Sequence, residues 1–305
     1  MREHLPVMLE PVLELLSPHP GNLLVDGTVG GAGHAEAIAR RLAGRGKLIA
    51  LDRDPDMLDH ARKRLGAFGP LVQLVHARFS QLENALLSLE IERVDGILLD
   101  LGLCTLQLDS AERGFRFGDA DSTVPLDMRM DRTGGNTVAE LLDKLDEEEL
   151  AEILREGGVH RVRIVARALR AHRPIRSTAA LLHALDEVRL PRRRHHPATL
   201  VFQALRIAVN DEYHELVAGL EASADLLSTG GRLVVLSYHS GEDRRVKQFF
   251  AREARGCICP PDLPVCGCGR VPRFRILARG TGPQTDEVVR NPRSRSARLR
   301  AGERL

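Results

Sequence analysis

No apolar stretch of this 305-residue chain reaches the roughly 18 residues needed to cross a bilayer as a helix. A membrane-spanning protein is thereby excluded, and a soluble globular one is expected. An excess of charge is nearly lacking too: 44 Lys and Arg face 42 Asp and Glu, a net of +2. Overall charge therefore does not by itself mark a nucleic-acid binder. Aromatic residues are scarce, with no Trp, two Tyr and eight Phe, so any aromatic beside a strand end stands out as a candidate ligand contact. The start, MREHLPVMLEPVLELL, mixes acids, His and Pro into its apolar residues, unlike a secretory signal. A cytoplasmic location is expected.

What is present is an apolar fraction of 43%, enough core for one large domain or two moderate ones. Leu23–Asp26 reads as a short buried strand, followed by the glycine-rich run Gly27–His34 and an alanine-rich helix. Lys47–Asp52 is a second strand ending in an acid, with Pro55 placed for the first turn of a helix. A third strand is expected near 71–76 and a fourth, strongly apolar, over Val94–Asp100. Alternating strands and helices with continuous apolar strands predict an α/β fold, a parallel sheet covered on both faces. From Leu103 to about Arg194 the pattern is helical only. A long helix is then expected from Thr199 to Leu227, and Arg232–Ser237 rejoins the sheet as a strand. The organisation expected is a discontinuous sheet domain, 1–103 and 199–305, bracketing an inserted all-helical domain, 104–198, that recognises substrate.

Arginine is clustered despite the balanced total. Seven Arg and one acid occupy 155–176, Arg192–Arg194 precede two His, and six Arg with one Glu close the chain from Arg290. Arg163, Arg167 and Arg170 fall at i, i+4 and i+7, hence on one helix face. Planar guanidinium groups grip phosphates in pairs of hydrogen bonds, so these blocks suit a polyanion. The alternative is a set of solvated helix faces and a loose tail.

Ligands of open parallel sheets bind beyond the carboxyl ends of the strands. Asp26, Asp52 and Asp100 gather there with the glycines at 27, 30, 31 and 33. Asp52 suits both hydroxyls of a ribose, and Phe79, after the third strand, suits an adenine ring or the core. This fits either S-adenosylmethionine or a nicotinamide dinucleotide. The dinucleotide fingerprint G-x-G-x-x-G, started at Gly31-Ala32-Gly33, would need glycine where Glu36 stands, and the methyl donor is the better match.

The ordered motifs resemble a known family. They are His4-Leu5-Pro6-Val7-Met8, Gly30–His34, Leu51–Asp54, Asp95–Gly102, Gln107-Leu108-Asp109, Arg113-Gly114-Phe115 and Pro125–Met130. His196–Thr199, Phe202–Ile207, Glu242-Asp243-Arg244 and Asn291–Ala297 complete the set. Together they resemble the bacterial 16S ribosomal RNA (cytosine-N4)-methyltransferases of the MraW or RsmH type, nearly end to end. The resemblance implies a Rossmann-like class I methyltransferase sheet with an inserted helical subdomain, and S-adenosylmethionine as cofactor. It implies cofactor contacts from Ala32, Gly33, His34, Asp52, Phe79, Asp100 and Gln107. It further implies, as product, a methyl group on the exocyclic N4 amine of a cytosine in the decoding region of 16S ribosomal RNA. The partner implied is that RNA or the small ribosomal subunit, with no membrane.

The chain departs from the family pattern at three places. Cys104-Thr105 stands for Ser-Ser, Gly157–His160 for Gly-Glu-Glu-Arg, and Gly241 for the usual Leu before Glu242. The carboxylates missing at 158 and 159 motivate an alternative, a non-catalytic or retargeted RNA-binding paralogue; a nicotinamide oxidoreductase is the other. For catalysis, an acceptor on an amine N–H helps the nitrogen become pyramidal as it attacks, and Asp100 or a backbone carbonyl is placed for it. His239 or Tyr238 is expected to contact the base, although a hydrogen-bonded structural histidine at 239 is equally expected. No residue of this site is read as a metal ligand. Truncation after Val289 is expected to weaken RNA binding more than cofactor binding. The pairs Cys257-Ile258-Cys259 and Cys266-Gly267-Cys268 allow a four-thiolate zinc site, at a spacing tighter than usual, a disulfide, or an inert loop.

Overall fold

The computed structural model describes the chain except residues 1–5, 117–123, 189–195, 197, 258, 260–263 and 266. Arg192–His195, Pro197 and Cys266 thus lie outside the described residues. In chain order, helix α1 (Leu9–Leu16) precedes β1 (Leu23–Asp26), α2 (Gly33–Leu42), β2 (Lys47–Asp52), α3 (Pro55–Leu65), β3 (Val72–His76), α4 (Leu82–Leu87) and β4 (Val94–Asp100). There follow α5 (Thr105–Asp109), α6 (Val138–Lys144), α7 (Glu147–Glu156), α8 (Val162–Ala171), α9 (Thr178–Asp186) and α10 (Ala198–Asn210). The chain ends with α11 (Glu212–Leu226), β5 (Leu227–Ser237), α12 (Ser240–Glu253), β6 (Phe274–Thr281), α13 (Thr285–Arg290) and β7 (Arg298–Arg304).

The chain forms two compact units, 1–102 with 214–305, and 103–213. The first is a Rossmann-like seven-stranded sheet of order β3-β2-β1-β4-β5-β7-β6. β1 to β5 run parallel, and β7 lies antiparallel between β5 and β6. Successive residues of the inner strands face opposite ways, which is why their sequences are apolar throughout. Leu24, Leu48 and Leu98 meet α1, α2 and α3 on one face. Val25, Ile49 and Ile97 meet α4, α11 and α12 on the other. Asp54 caps α3, accepting the Asp56 N–H at 3.0 Å, with Pro55 as first helical residue.

β6 and β7 were not expected. The C-terminal arginines, expected to grip phosphates or, alternatively, to form a loose tail, belong in part to β7, a strand paired on both sides. Arg300 is buried, donating to Asp243 of α12 at 2.8 and 3.0 Å and to the Arg279 carbonyl at 2.6 Å. Truncation after Val289 removes a strand paired on both sides, so the expectation of a selective RNA-binding loss is replaced by one of misfolding.

The second unit is helical with its own core. Its boundary differs from the expected 198/199, because α10 packs on α7 and α6 within this unit. Buried Asn210, the last residue of α10, donates to the Met128 carbonyl at 2.7 Å and accepts the Met130 N–H at 2.8 Å. The expected single helix from 199 to 227 breaks at Asp211, whose φ of 52° is left-handed. Gly157-Gly158-Val159 closes α7: the Gly158 N–H reaches the Arg155 carbonyl and the Val159 N–H the Leu154 carbonyl, both near 3 Å. Gly158 has a φ of 77°, and buried Val159 joins the core. This is a glycine-terminated helix stop. The departure at 158 and 159 thus has a structural reason here, and Val159 sits where a carboxylate would be buried.

Among the described residues no helix is long and apolar enough to cross a membrane.

Candidate functional site

The loop after β1 is fixed by its own backbone. The Gly27 N–H donates to the Leu98 carbonyl at 2.9 Å and the Val29 N–H to the Leu51 carbonyl at 2.8 Å, tying the loop to β4 and β2. A Cβ on Gly27 would lie 2.6 Å from a Leu99 methyl, so only glycine permits this approach. The chain then turns through left-handed Gly30 and Ala32 to enter α2 at Gly33. Where a Gly33 side chain would stand, the ring of Pro6 lies 3.1 to 3.2 Å from the ideal Cβ. The segment from Pro6 to Met8 therefore covers the loop, anchored by the Met8 N–H to Glu287 at 2.6 Å.

Three of the expected residues meet directly or through this loop. Asp52, at the end of β2, accepts the Gly30 N–H at 2.8 Å on one oxygen and the Asp54 N–H at 2.9 Å on the other. Burial pushes its carboxyl up to about 6, against those hydrogen bonds. Asp100, at the end of β4, presents Oδ2 to His34 Nδ1 at 3.3 Å and accepts the Tyr238 hydroxyl on Oδ1 at 2.7 Å. Its own N–H donates to the Thr28 hydroxyl at 2.7 Å. Asp26, at the end of β1, is fully buried with its carboxyl pushed up to about 7; desolvation dominates, opposed by His34.

His34 Nε2 stands 3.0 Å from the Val7 carbonyl. A carbonyl only accepts, so Nε2 carries the proton. A neutral ring would then point its Nδ1 lone pair at the Asp100 carboxylate. Burial disfavours the charged ring, but the Asp100 hydrogen bond and charge outweigh it and the His34 pKa is raised. The Tyr238 phenol is pushed well above its ordinary range by burial and by Asp100, and remains a donor.

Phe79 follows β3 and is half-buried, its ring against α11: a Cβ on Gly219 would lie 2.4 Å from it. Its neighbours Arg78 and Ser80 both donate to buried Glu215 of α11. Gln107 is buried in the helical unit, where its Oε1 accepts the Cys104 N–H at 3.1 Å at the start of α5.

His239 takes the structural alternative. It caps α12, its Nδ1 accepting the N–H groups of Gly241 and Glu242 at 3.2 and 3.4 Å, with Nε2 3.1 Å from Glu242 Oε1. Glu242 in turn accepts the Tyr238 and His239 N–H groups at 2.8 and 3.3 Å. The structural role expected for His239 is thus present as a cap next to Tyr238, and its role toward a base belongs to the proposal below. Thr28, Glu215 and Glu287 escaped the sequence reading. A single Thr in a glycine loop, or an acid on a helix face, carries no signal of a partner some 70 to 280 residues away.

What this edge can do follows from its chemistry. Three carboxylates, one histidine and a glycine loop accept hydrogen bonds and favour positive charge. Over residues 1–305 the chain matches the model of the MraW methylase family. The ribosomal RNA small subunit methyltransferase H of Syntrophotalea carbinolica is 48% identical, over 99% of this chain and 98% of that protein. The protein of the same name from Geobacter sulfurreducens is 49% identical over 99% of each, and that of Thermomicrobium roseum 46% over 99% and 94%. The chain belongs to the MraW methylase family, and its cofactor is S-adenosylmethionine.

Proposed function

We propose that this methyltransferase acts in the cytoplasm on 16S ribosomal RNA, free or within the small subunit, and methylates the exocyclic N4 amine of a cytosine in the decoding region. The relatives named as small-subunit ribosomal RNA methyltransferases support the RNA; the cytosine amine follows from the family motifs. The observation that carries the cofactor half is the acidic strand edge of Asp26, Asp52 and Asp100 around the glycine loop. A cofactor bearing sulfonium and ammonium charges suits it, whereas a dinucleotide pyrophosphate would face three carboxylates.

S-adenosylmethionine, when bound, supplies an electrophilic methyl group on a positively charged sulfur. Asp52, its oxygens oriented by Gly30 and Asp54, is the acceptor for ribose hydroxyls. Asp26 and Asp100 would offset the positive charge, Ala32, Gly33 and His34 would hold the cofactor from the loop, and Phe79 would face its adenine. Gln107 is the remaining contact that the family motifs imply. Asp100 holds two donors already, and a carboxylate has about four lone-pair sites, so it keeps capacity to accept an N–H of the attacking amine. An amine that takes up a methyl group must shed a proton, and Asp100 is the acceptor we assign. The helical unit and its α8 arginines grip phosphates around a base drawn out of its stack.

The test is methyl transfer from labelled S-adenosylmethionine to small subunits lacking the modification, followed by nucleoside mass spectrometry. N4-methylcytidine is expected, with Asp100→Asn lowering turnover more than cofactor affinity. A methyl group on another base or ring position would refute the cytosine-amine assignment. Cofactor binding with no transfer to RNA or subunits would favour the non-catalytic paralogue.

A further inference from the structure

The loop joining α12 to β6 carries cysteines that methyl transfer does not use. Its neck is closed by protein contacts. The Arg273 N–H donates to the Glu253 carbonyl at 2.7 Å, and Arg270 reaches the Arg252 carbonyl at 3.1 Å and the Glu253 carboxylate at 3.3 Å. Where Gly256 has no side chain, Pro272 lies 3.2 Å from the ideal Cβ, so the two strands of the neck touch. Beyond the neck the described residues supply no apolar core. Val265 is 75% exposed, and a loop of this length needs some compensation for its lost conformational entropy.

The thiols supply a centre instead. The sulfurs of Cys257, Cys259 and Cys268 all lie within 4.8 Å of one another. Cys257 and Cys268 are separated by 3.8 Å, far beyond a disulfide bond of about 2.05 Å. Sulfurs held at about 2.3 Å by a tetrahedral zinc ion lie about 3.8 Å apart. The Cys259 N–H points at the Cys257 sulfur at 3.4 Å, a backbone dipole placed to offset the negative charge of a metal-bound thiolate. Gly269, left-handed with a φ of 59°, turns the chain immediately after Cys268, as wrapping backbone round an ion requires. In an extended segment residues i and i+2 share one side, so the C-x-C spacing delivers two thiols to one centre.

We propose that Cys257, Cys259 and Cys268 form a structural site for a thiophilic divalent cation, zinc, which orders the α12–β6 loop. A fourth cysteine, Cys266, is present in the sequence but lies outside the described residues, and the assignment rests on the other three. The site is remote in role from methyl transfer: it fixes a loop, and its ligands must be deprotonated to bind.

The experiment uses the full chain, purified under reducing conditions without chelator. Elemental analysis is expected to find about one zinc per chain, and none in the variant with all three cysteines replaced by Ser. That variant could misfold, so the deciding measurement is on the unaltered sequence. The reduced, metal-stripped chain is titrated with cobalt(II). A thiolate-to-cobalt charge-transfer band with the intense visible bands of tetrahedral cobalt, both erased by added zinc, is expected. Cys259→Ser should weaken the band several-fold while S-adenosylmethionine affinity stays within two-fold. Absence of the charge-transfer band in the reduced chain overturns the proposal. So does a Cys257–Cys268 disulfide in the chain as isolated, read by alkylation and mass spectrometry.

Discussion

Replacing Asp243 by Ala should destabilise the sheet unit far more than removal of a surface charge would. Arg300 of β7 donates two hydrogen bonds to this carboxylate, and the two side chains are 11% and 25% exposed. The guanidinium is packed against Gly280, whose ideal Cβ would lie 2.9 Å away, so it cannot readily swing out to water. Breaking a fully buried pair costs about 3–5 kcal/mol, because the remaining charge is left uncompensated. With Asp243 a quarter exposed, about 3 kcal/mol is the expected loss. For a unit of 194 residues that corresponds to a fall in melting temperature of about 6–12 °C. The assay is thermal unfolding of the parent, Asp243→Ala, Arg300→Met and the double variant. The double variant should be more stable than the sum of the singles predicts, by at least about 1 kcal/mol, since it buries no orphaned charge. An Asp243→Ala protein melting within about 2 °C of the parent, with an additive double variant, would refute the reasoning. It would restore the view of these arginines as a solvated tail.

Three further outcomes follow. Binding of S-adenosylmethionine should release protons between about pH 6 and 7, because a cation beside carboxyls raised to about 7 at Asp26 and about 6 at Asp52 lowers both; calorimetry in buffers of different ionisation enthalpy measures it, and Asp26→Asn should reduce it. Gly157→Ala should destabilise the helical unit by about 1–3 kcal/mol in urea unfolding, since its Cβ would meet Ala204 Cβ at 2.3 Å, and Ala204→Gly should recover part of the loss. Replacing exposed Arg163, Arg167 and Arg170 together by Gln should lower RNA affinity and flatten its salt dependence by up to about 2 in log–log slope; Arg167 already pairs with Glu147 at 3.5 Å, so it is expected to contribute least.

The parallel half of the sheet was legible because strands buried on both faces are written as unbroken apolar runs. Leu23–Asp26 and Val94–Asp100 leave little room for another reading, and the acids that end them mark the ligand edge directly. β7 was not legible for the opposite reason. Arg298-Leu299-Arg300-Ala301 alternates with period two, but its charge reads as solvent exposure unless the partner of Arg300 is known, and Asp243 stands 57 residues earlier. The same limit hid the cap at His239. The spacing of His239 and Glu242 is that of a capping box, yet a histidine beside a predicted site suggests chemistry before it suggests a helix end. The break at Asp211 carries only the weak signal of the pair Asn210-Asp211, residues that tolerate a left-handed turn, because an apolar periodicity runs up to it and resumes beyond; Asn210 clamps the Met128–Met130 segment.

The charged groups at the strand edge are tied to neighbours in the chain: Asp100 to His34 and Tyr238, and Asp52 to the Gly30 and Asp54 N–H groups. Asp26 and Asp52 are raised above the ordinary carboxylate value of 3.8 by burial. By sign, a raised carboxyl contributes stability at low pH that is lost as pH rises through about 6 and then about 7, so at neutral pH the folded edge carries an electrostatic cost. His34 favours the charged carboxylates beside it: burial disfavours its charged ring, but Asp100 and Asp26 raise its pKa, and the Val7 carbonyl fixes the Nε2 proton. The remainder is offset only when a cation arrives. On the proposed reading such an edge would discriminate by sign: a positively charged methyl donor would relieve it, and its neutral thioether product would relieve it less. The same residues would thereby loosen their hold once the methyl group has left.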